Sequence, residues 1–264
     1  MSFFSSAVLL RLHYFLVVVF LFFPILIVTP ISFSDSQFMR FPPDGLSLRW
    51  YRYYFTDPVW LDATFRSLRV GLGASVLATA IGVLVTIGMG RGPAKGKGLL
   101  TAIFVAPAIV PNVIVALGVF ILAVRTGVSD RELTLVAAHA AIALPFVVLI
   151  VGAAYRQLDP TLERAARVMG AGPVRAFVHA TLPPLMPAVL SASIFAFFIS
   201  FDELIISWFL MSSAETLPMR IWSDLRFEIN PTIAAVSVFF VGVTTIAMTT
   251  AELLRRKAVK RDAE

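Results

Sequence analysis

The amino-acid sequence predicts an all-α membrane protein with six transmembrane helices, and three observations carry that reading. The chain is 58% hydrophobic, with a mean hydropathy of +0.87. Only 14% of its 264 residues are charged, whereas a soluble domain carries about 25%. A soluble core does not explain this deficit, because the apolar residues are gathered into runs long enough to cross a bilayer. Such a crossing takes about 20 predominantly apolar residues.

The chain, residues 1–264, reads as a single transmembrane domain. Six apolar segments follow in order, at about 13–31, 68–89, 99–124, 133–155, 185–211 and 233–254. Pro24 and Pro30 interrupt the first, and Pro107, Pro111 and Pro145 lie inside later ones. Intramembrane prolines are tolerated where neighbouring helices or water satisfy the freed carbonyls. The first segment is too long for a signal peptide, and no small-residue cleavage site follows between Thr29 and Ser36.

Basic residues set the orientation. The four lysines are Lys95, Lys97, Lys257 and Lys260. With both termini in the cytoplasm all four lie inside, together with Arg91, Arg156, Arg164, Arg167, Arg175, Arg255, Arg256 and Arg261. On the other side Arg40, Arg49 and Arg52 are balanced by Asp35, Asp44 and Asp57. This is the positive-inside pattern. The outer segment 32–66 carries Trp50, Tyr51, Tyr53, Tyr54 and Trp60, which read as an interfacial aromatic belt around an amphipathic piece.

Several function classes are disfavoured. The chain has no cysteine, so it has no disulfide, thiolate metal site or cysteine nucleophile. The net charge of +6 reflects basic loops on one side of a membrane rather than a nucleic-acid partner. His13, His139 and His179 lack metal-ligand spacing, and His139 reads as a helix-packing residue. The stretch Arg91–Gly98, RGPAKGKG, holds Gly96-Lys97 but neither the leading glycine nor the trailing Ser/Thr of a phosphate-binding loop. No serine-plus-base or carboxylate-plus-histidine arrangement emerges. The chain reads as no enzyme and as carrying no cofactor or metal of its own.

Residues 156–184 form the largest cytoplasmic loop of this topology, and within it DPTLERAARVMGAGP (159–173) is the polar exception between two apolar runs. Asp159 is a natural N-cap and Pro160 suits the first helical position. Leu162, Ala165, Ala166 and Met169 then make a narrow apolar stripe. Gly170 and Gly172 end the helix, Pro173 starts a second short one through Val178, and Leu182-Pro183-Pro184 breaks the chain before the fifth span. Small residues between tight corners suit docking into a groove of a protein partner better than lying on a membrane.

Glu163-Arg-Ala165-Ala166, three residues, Gly170, nine residues, then Ala180-Thr-Leu182-Pro183 resembles the EAA loop of ABC-importer permeases. Ala180 stands where that motif has a branched aliphatic residue. The likeness extends over roughly residues 40–255, and FPPDGLSLRWYRYYF, SFDELIISWFL and TLPMRIWSDLRFEINPTIAAVS are similar to the spermidine/putrescine-type subgroup. The resemblance implies the type I ABC importer permease (MetI-like) architecture in the bacterial inner membrane. It implies coupling through Glu163, Ala165, Ala166, Gly170, Leu182 and Pro183 to a separate ATPase that holds ATP and Mg. The other implied partners are a homologous permease forming a heterodimer, a second ATPase copy and a periplasmic substrate-binding protein. Some members of the subgroup place an acid after the prolines of the third span, where this chain has Asn112.

Asp202 and Glu203 are adjacent carboxylates inside the fifth apolar segment. A carboxylate near the bilayer centre costs roughly 2.5–3.5 kcal/mol on insertion scales and faces the bundle interior or a wet cavity. Two readings stand side by side. In one the pair is structural, as an N-cap or an ion pair with Arg220 or Arg226. In the other, with Asn112, it lines the path of a cationic solute. Adjacent helical residues point about 100° apart, so the two can divide these jobs. The expected function is import of polyamines by alternating access driven by the separate ATPase. The alternatives are another small solute (an amino-acid derivative, a phosphonate or iron), a stand-alone secondary transporter, or an intramembrane enzyme.

Overall fold

The computed structural model describes residues 3–91, 96–211, 214–227 and 229–261, and side chains within 8–90, 96–211, 214–227, 229–246 and 249–250. Lys95, Ser212 and Ser213, and the side chains of Arg91, Arg255, Arg256, Lys257, Lys260 and Arg261, lie outside the described residues. In chain order the helices are α1 Phe3–Ser32, α2 Arg49–Thr56, α3 Pro58–Arg91, α4 Lys97–Val105, α5 Asn112–Thr126 and α6 Arg131–Gln157. There follow α7 Thr161–Val168, α8 Pro173–Ala176, α9 Leu182–Phe201, α10 Ile205–Leu210, α11 Leu217–Phe227 and α12 Thr232–Arg261. Among the described residues the β-structure is a single isolated bridge between Ser34 and Leu46.

The stretches Val8–Ser32, Pro58–Gly90, Arg131–Gln157 and Pro173–Phe201 are each long and apolar enough to cross a membrane. The first runs through Pro24 and Pro30 as one helix. The third expected span, 99–124, is not one rod. Lys97–Ala108 and Asn112–Thr126 meet at 97°, with a 3₁₀ turn at Ala106–Ala108 and an extended Pro111 (ψ 134°). Pro107 and Pro111 supply no N–H, and a proline also disfavours helical geometry in the residue before it, so the ladder stops between them. The sixth segment lies on α12, whose described apolar part is Thr232–Ile246.

The fifth expected span, 185–211, differs at both ends. Helix runs unbroken from Pro173 to Phe201, so Leu182-Pro183-Pro184 opens α9 instead of breaking the chain. The wider π turn at Phe177–Thr181 precedes it, and prolines in the first turn of a helix need no donor. At the other end the helix stops at Phe201, and α10 begins only at Ile205.

Two compact units divide the chain, Asp62–Arg220 and a second made of residues 1–61 with 221–264. In the first, α6 is the central helix, lying along α9 and against α4, α5 and α10. More than half of its apolar window is buried (56%), against 6% for α1. A helix apolar all round and exposed along most of its length, as α1 is over residues 8–26, suits lipid contact. Helix α3 meets α6 through small residues. Ala74 and Ala78 are fully buried, and a Cβ on Gly82 would fall 2.5 Å from Val147 Cγ1 and 2.9 Å from its Cβ. Without a hydrophobic drive between helices in lipid, such close approach supplies the dispersion energy that holds them. Arg69 clasps Glu132 at the head of α6 at 3.0 and 3.4 Å.

In the second unit, α12 packs against α1 and α2. The aromatic residues there do less of the interfacial work expected of them. Trp50, Tyr54 and Trp60 are buried, and Tyr54 lies 6.0 Å from Phe239, centroid to centroid. The Trp50 indole N–H donates to Ser36 O at 3.2 Å. Tyr53 and Phe55 remain exposed, as a belt requires.

The α3–α6 contact gives a stability prediction. Gly82→Val overpacks a seam that has no room, at a cost of about 1–3 kcal/mol. Thermal unfolding of the purified protein in detergent should show a lowered Tm. Gly88→Ala, on the same helix with no atom within 4 Å of the added Cβ, should leave it unchanged or raise it.

Candidate functional site

In the loop at 156–184, hydrogen bonds hold both ends of α7. The Asp159 carboxyl accepts the Thr161 N–H at 2.8 Å, and that hydrogen bond holds its pKa below the usual carboxylate range. The first turn of α7 is thereby capped, as Asp159 predicts, although the regular helix starts one residue after Pro160. At the other end Gly170 takes φ +89°. Its N–H donates to Arg167 O at 3.0 Å, and the Ala171 N–H reaches back to Ala166 O, also at 3.0 Å. This pair of bonds is a Schellman cap, whose left-handed residue is best a glycine. Another L-residue there is strained by roughly 1–2 kcal/mol, although the space around its Cβ is open.

Glu163 joins α7 to the helix that follows the loop. Its Oε2 accepts the Thr181 hydroxyl at 3.3 Å, and its Oε1 lies 3.6 Å from Arg167 Nε. Thr181 is the last residue of the π turn and directly precedes Leu182 and Pro183. The structure therefore brings Glu163 to the root of α9, while Ala165 and Ala166 lie one turn before the Gly170 cap. Leu162, Val168, Met169 and Val174 leave their apolar side chains exposed, Val168 at 88%.

The acidic pair separates. Asp202 is exposed and Glu203 is buried. Glu203 Oε2 accepts the N–H groups of Ile206 at 2.7 Å and Ser207 at 3.3 Å, and Oε1 accepts that of Ile205 at 3.1 Å. Glu203 therefore caps α10 through three backbone donors. The arginine partners expected for it are engaged otherwise: Arg220 lies 3.7 Å from Glu215, and Arg226 sits over the Trp222 ring at 5.4 Å.

Asn112, at the start of α5, donates through Nδ2 to Glu203 Oε1 at 3.2 Å. Its other neighbours were not foreseen. His139 on α6 is buried, with Nδ1 2.8 Å from Ser200 Oγ. Its Nε2 lies 3.3 Å from Ser207 Oγ and 3.6 Å from Glu203 Oε2. One histidine, two serines, an amide and a carboxyl group thus form a polar knot across α5, α6, α9 and α10. The available sequence signal was Ser200 and Ser207, two residues before and four residues after the acidic pair in an apolar run.

Comparison with known proteins agrees with this architecture. Residues 78–260 match the family model for the binding-protein-dependent transport system inner membrane component. The putrescine transport system permease protein PotI of Escherichia coli (strain K12) is 31% identical over 250 residues, which span 92% of this chain and 89% of that protein. The spermidine/putrescine transport system permease protein PotC of Haemophilus influenzae is 27% identical over 244 residues, 92% of this chain and 95% of that one. Among solved structures, a chain of a bacterial ABC transporter involved in import of the acidic polysaccharide alginate superposes with a TM-score of 0.73. It covers 96% of this chain and 97% of its own at 12% identity, a likeness of fold alone. The architecture is that of the type I ABC importer permeases. By the family match and the identity to the Escherichia coli permease, the chain belongs to the binding-protein-dependent transport system inner membrane components.

Proposed function

We propose that this chain is one of two transmembrane subunits of a polyamine importer, with both termini in the cytoplasm and with ATP hydrolysed on two separate ATPase subunits. The relatives' putrescine and spermidine/putrescine transport supports a polycationic solute. A periplasmic binding protein delivers that solute to the outer face, and the second transmembrane subunit is a homologous permease.

The observation that carries the reading is the capped helix α7, which presents exposed apolar residues on one side and is tied by Glu163 to Thr181 on the other. A helix so held passes an inward push to α9 instead of absorbing it in a loose loop. Ala165 and Ala166 keep its surface low enough to enter a cleft, and Gly170 turns the chain sharply away behind it. Leu182 and Pro183 begin the rod that receives the push. ATP and its Mg²⁺ supply the driving free energy on the partner subunit, while this chain converts closure into helix movement.

At the far end of that rod the knot around Glu203 and Asn112 holds the breaks in the third and fifth spans, and Asp202 faces the solute. An exposed carboxylate at the end of α9 offsets the desolvation of a polycation. At an effective dielectric near 20, opposite charges about 4 Å apart attract by roughly 4 kcal/mol before desolvation.

Three outcomes test this proposal. Gly170→Arg and Glu163→Ala should leave the transporter assembled but abolish solute-stimulated ATPase and uptake, whereas normal uptake by well-expressed Gly170→Arg would remove the coupling role. Single cysteines at Asp44 and Ser129 should react in intact cells with an impermeant thiol reagent, and those at Lys97 and Arg175 should not. The chain has no native cysteine to confuse the labelling. Finally, Asp202→Asn should weaken uptake about tenfold, the effect of about 1.4 kcal/mol, with basal ATPase and abundance unchanged. Glu203→Gln should instead lower the amount of assembled protein, because an amide N–H₂ set against backbone donors leaves buried groups unsatisfied at about 1–3 kcal/mol. Uptake and abundance measured together distinguish the two.

A further inference from the structure

A cavity of about 640 Å³ opens where the ends of α3 and α6 meet α4 and α7, at the root of the 156–184 loop. Its lining has two chemistries. Lys97, Arg156, Arg164 and Arg167 contribute four cationic side chains against the two carboxyls of Asp159 and Glu163, an excess of two positive charges. Both carboxyls are already engaged, Asp159 by the Thr161 N–H and Glu163 by Thr181 and Arg167. Among the described residues Lys97, Arg156 and Arg164 form no ion pair. Arg156 does not simply extend into solvent. One of its guanidinium nitrogens lies 3.8 Å from where a Cβ on Gly152 would stand, so the head group folds back along α6 over a position with no side chain.

The rest of the lining mixes apolar side chains, Met89 and Leu149 among them, with the hydroxyl-bearing Thr101, Tyr155, Thr181 and Thr86. Thr86 is 3% exposed, and its hydroxyl has no hydrogen-bond partner. A buried hydroxyl left so costs about 1–3 kcal/mol unless a ligand or water completes it. The occupant that suits this lining has an anionic head, an apolar body and an acceptor between them. A polycation is repelled by the same charges, so the cavity is no station for the solute proposed above. Inorganic phosphate satisfies the cations but leaves Met89 and Leu149 against water. Basic pockets between transmembrane helices on the cytoplasmic side are suited to anionic lipid head groups.

We propose that this cavity binds the phosphodiester head group of an anionic phospholipid, with Lys97, Arg156 and Arg164 on the phosphate, the Thr86 hydroxyl donating to a glycerol-ester carbonyl and an acyl chain along Met89 and Leu149. Because α7 roofs the cavity, an occupying lipid braces the coupling helix against α3 and α6 from the membrane side. Only the choice of leaflet rests on the orientation proposed above.

The test uses the assembled transporter in nanodiscs of phosphatidylcholine containing phosphatidylglycerol. After delipidation in detergent, native mass spectrometry of the intact complex counts the lipid retained. Phosphatidylglycerol should be retained about tenfold over phosphatidylcholine, a difference of about 1.4 kcal/mol, and excess inorganic phosphate should not displace it. Arg156→Gln combined with Lys97→Gln should abolish the preference. Leu149→Trp, which fills the apolar part and leaves the charge alone, should lower retention of both lipids. Each variant is scored only in the fraction that elutes as assembled complex, so misfolding cannot imitate the result. Equal retention of the two lipids, or retention unchanged in both variants, overturns the proposal. Displacement by inorganic phosphate also overturns it and makes the cavity a site for a free anion. The readout needs neither solute nor ATP, so its failure leaves the importer reading intact, and failure of the thiol-labelling pattern leaves this count unaffected.

Discussion

A bilayer offers no water to a broken helix, and the carboxyl group of Glu203 answers that constraint in the middle of this protein. Where α9 ends at Phe201 and α10 begins at Ile205, the first backbone donors of the new helix lack helical acceptors. Glu203 takes three of them, from Ile205, Ile206 and Ser207. The break is then affordable, since irregular backbone at membrane depth is tolerated only where protein or a wet cavity satisfies it. Asn112 extends the arrangement to the other interrupted span, at the residue where α5 starts after the 97° bend. Two breaks in two spans are thus held by one carboxyl group, and Ser207, whose N–H donates to it, places its hydroxyl 3.3 Å from His139 Nε2 on the central helix.

The same economy governs the opposite end of α9. The loop between the fourth and fifth spans could have been a slack connection, and hydrogen bonds make it stiff. Asp159 caps α7 at its start, the Gly170 turn caps it at its end, and Glu163 reaches Thr181 where the π turn gives way to α9. Between this loop and the Glu203 knot runs one continuous helix, Pro173–Phe201, packed along α6. Along that helix Leu185, Ala192 and Ala196 are fully buried in one cluster. Alanine at those positions brings the helices close enough that dispersion forces, which need near contact, resist slippage.

Much of this was legible in the sequence because it depends on local rules. The Asp159 hydrogen bond that opens α7 and the Gly170 turn that closes it each have a short-range cause, and each appears where expected. The path of the chain through prolines was less legible. Pro24 and Pro30 leave α1 whole, Pro183 and Pro184 open a helix, and Pro107 and Pro111 end one. The residue is the same, but the result depends on what receives the freed carbonyls and on the local turn, which are tertiary matters. The knot was invisible for a related reason. His139 and Glu203 are 64 positions apart in sequence, and no spacing rule joins residues on different helices. Trp50, Tyr54 and Trp60 show the converse, since aromatic density identified a special segment without saying that Phe239 would help to bury part of it.

The amide at position 112 is best understood from the carboxyl group it faces. Glu203 Oε1 is 3.2 Å from Asn112 Nδ2, a donor-to-acceptor contact. An acid in that place would set two carboxyl groups at hydrogen-bonding distance, and both could not be ionised at once without strong repulsion. One of them would have to hold a proton, or a cation would have to sit between them. With asparagine the contact is satisfied from within the chain, and Glu203 can spend its remaining capacity on the backbone of α10. Of the two neighbouring acids, Asp202 is exposed and Glu203 is turned inward onto the backbone of α10. Adjacent acids in a membrane span thus need not act as a pair. Where one helix ends just before them and the next begins just after, Glu203 serves the backbone and Asp202 stays exposed.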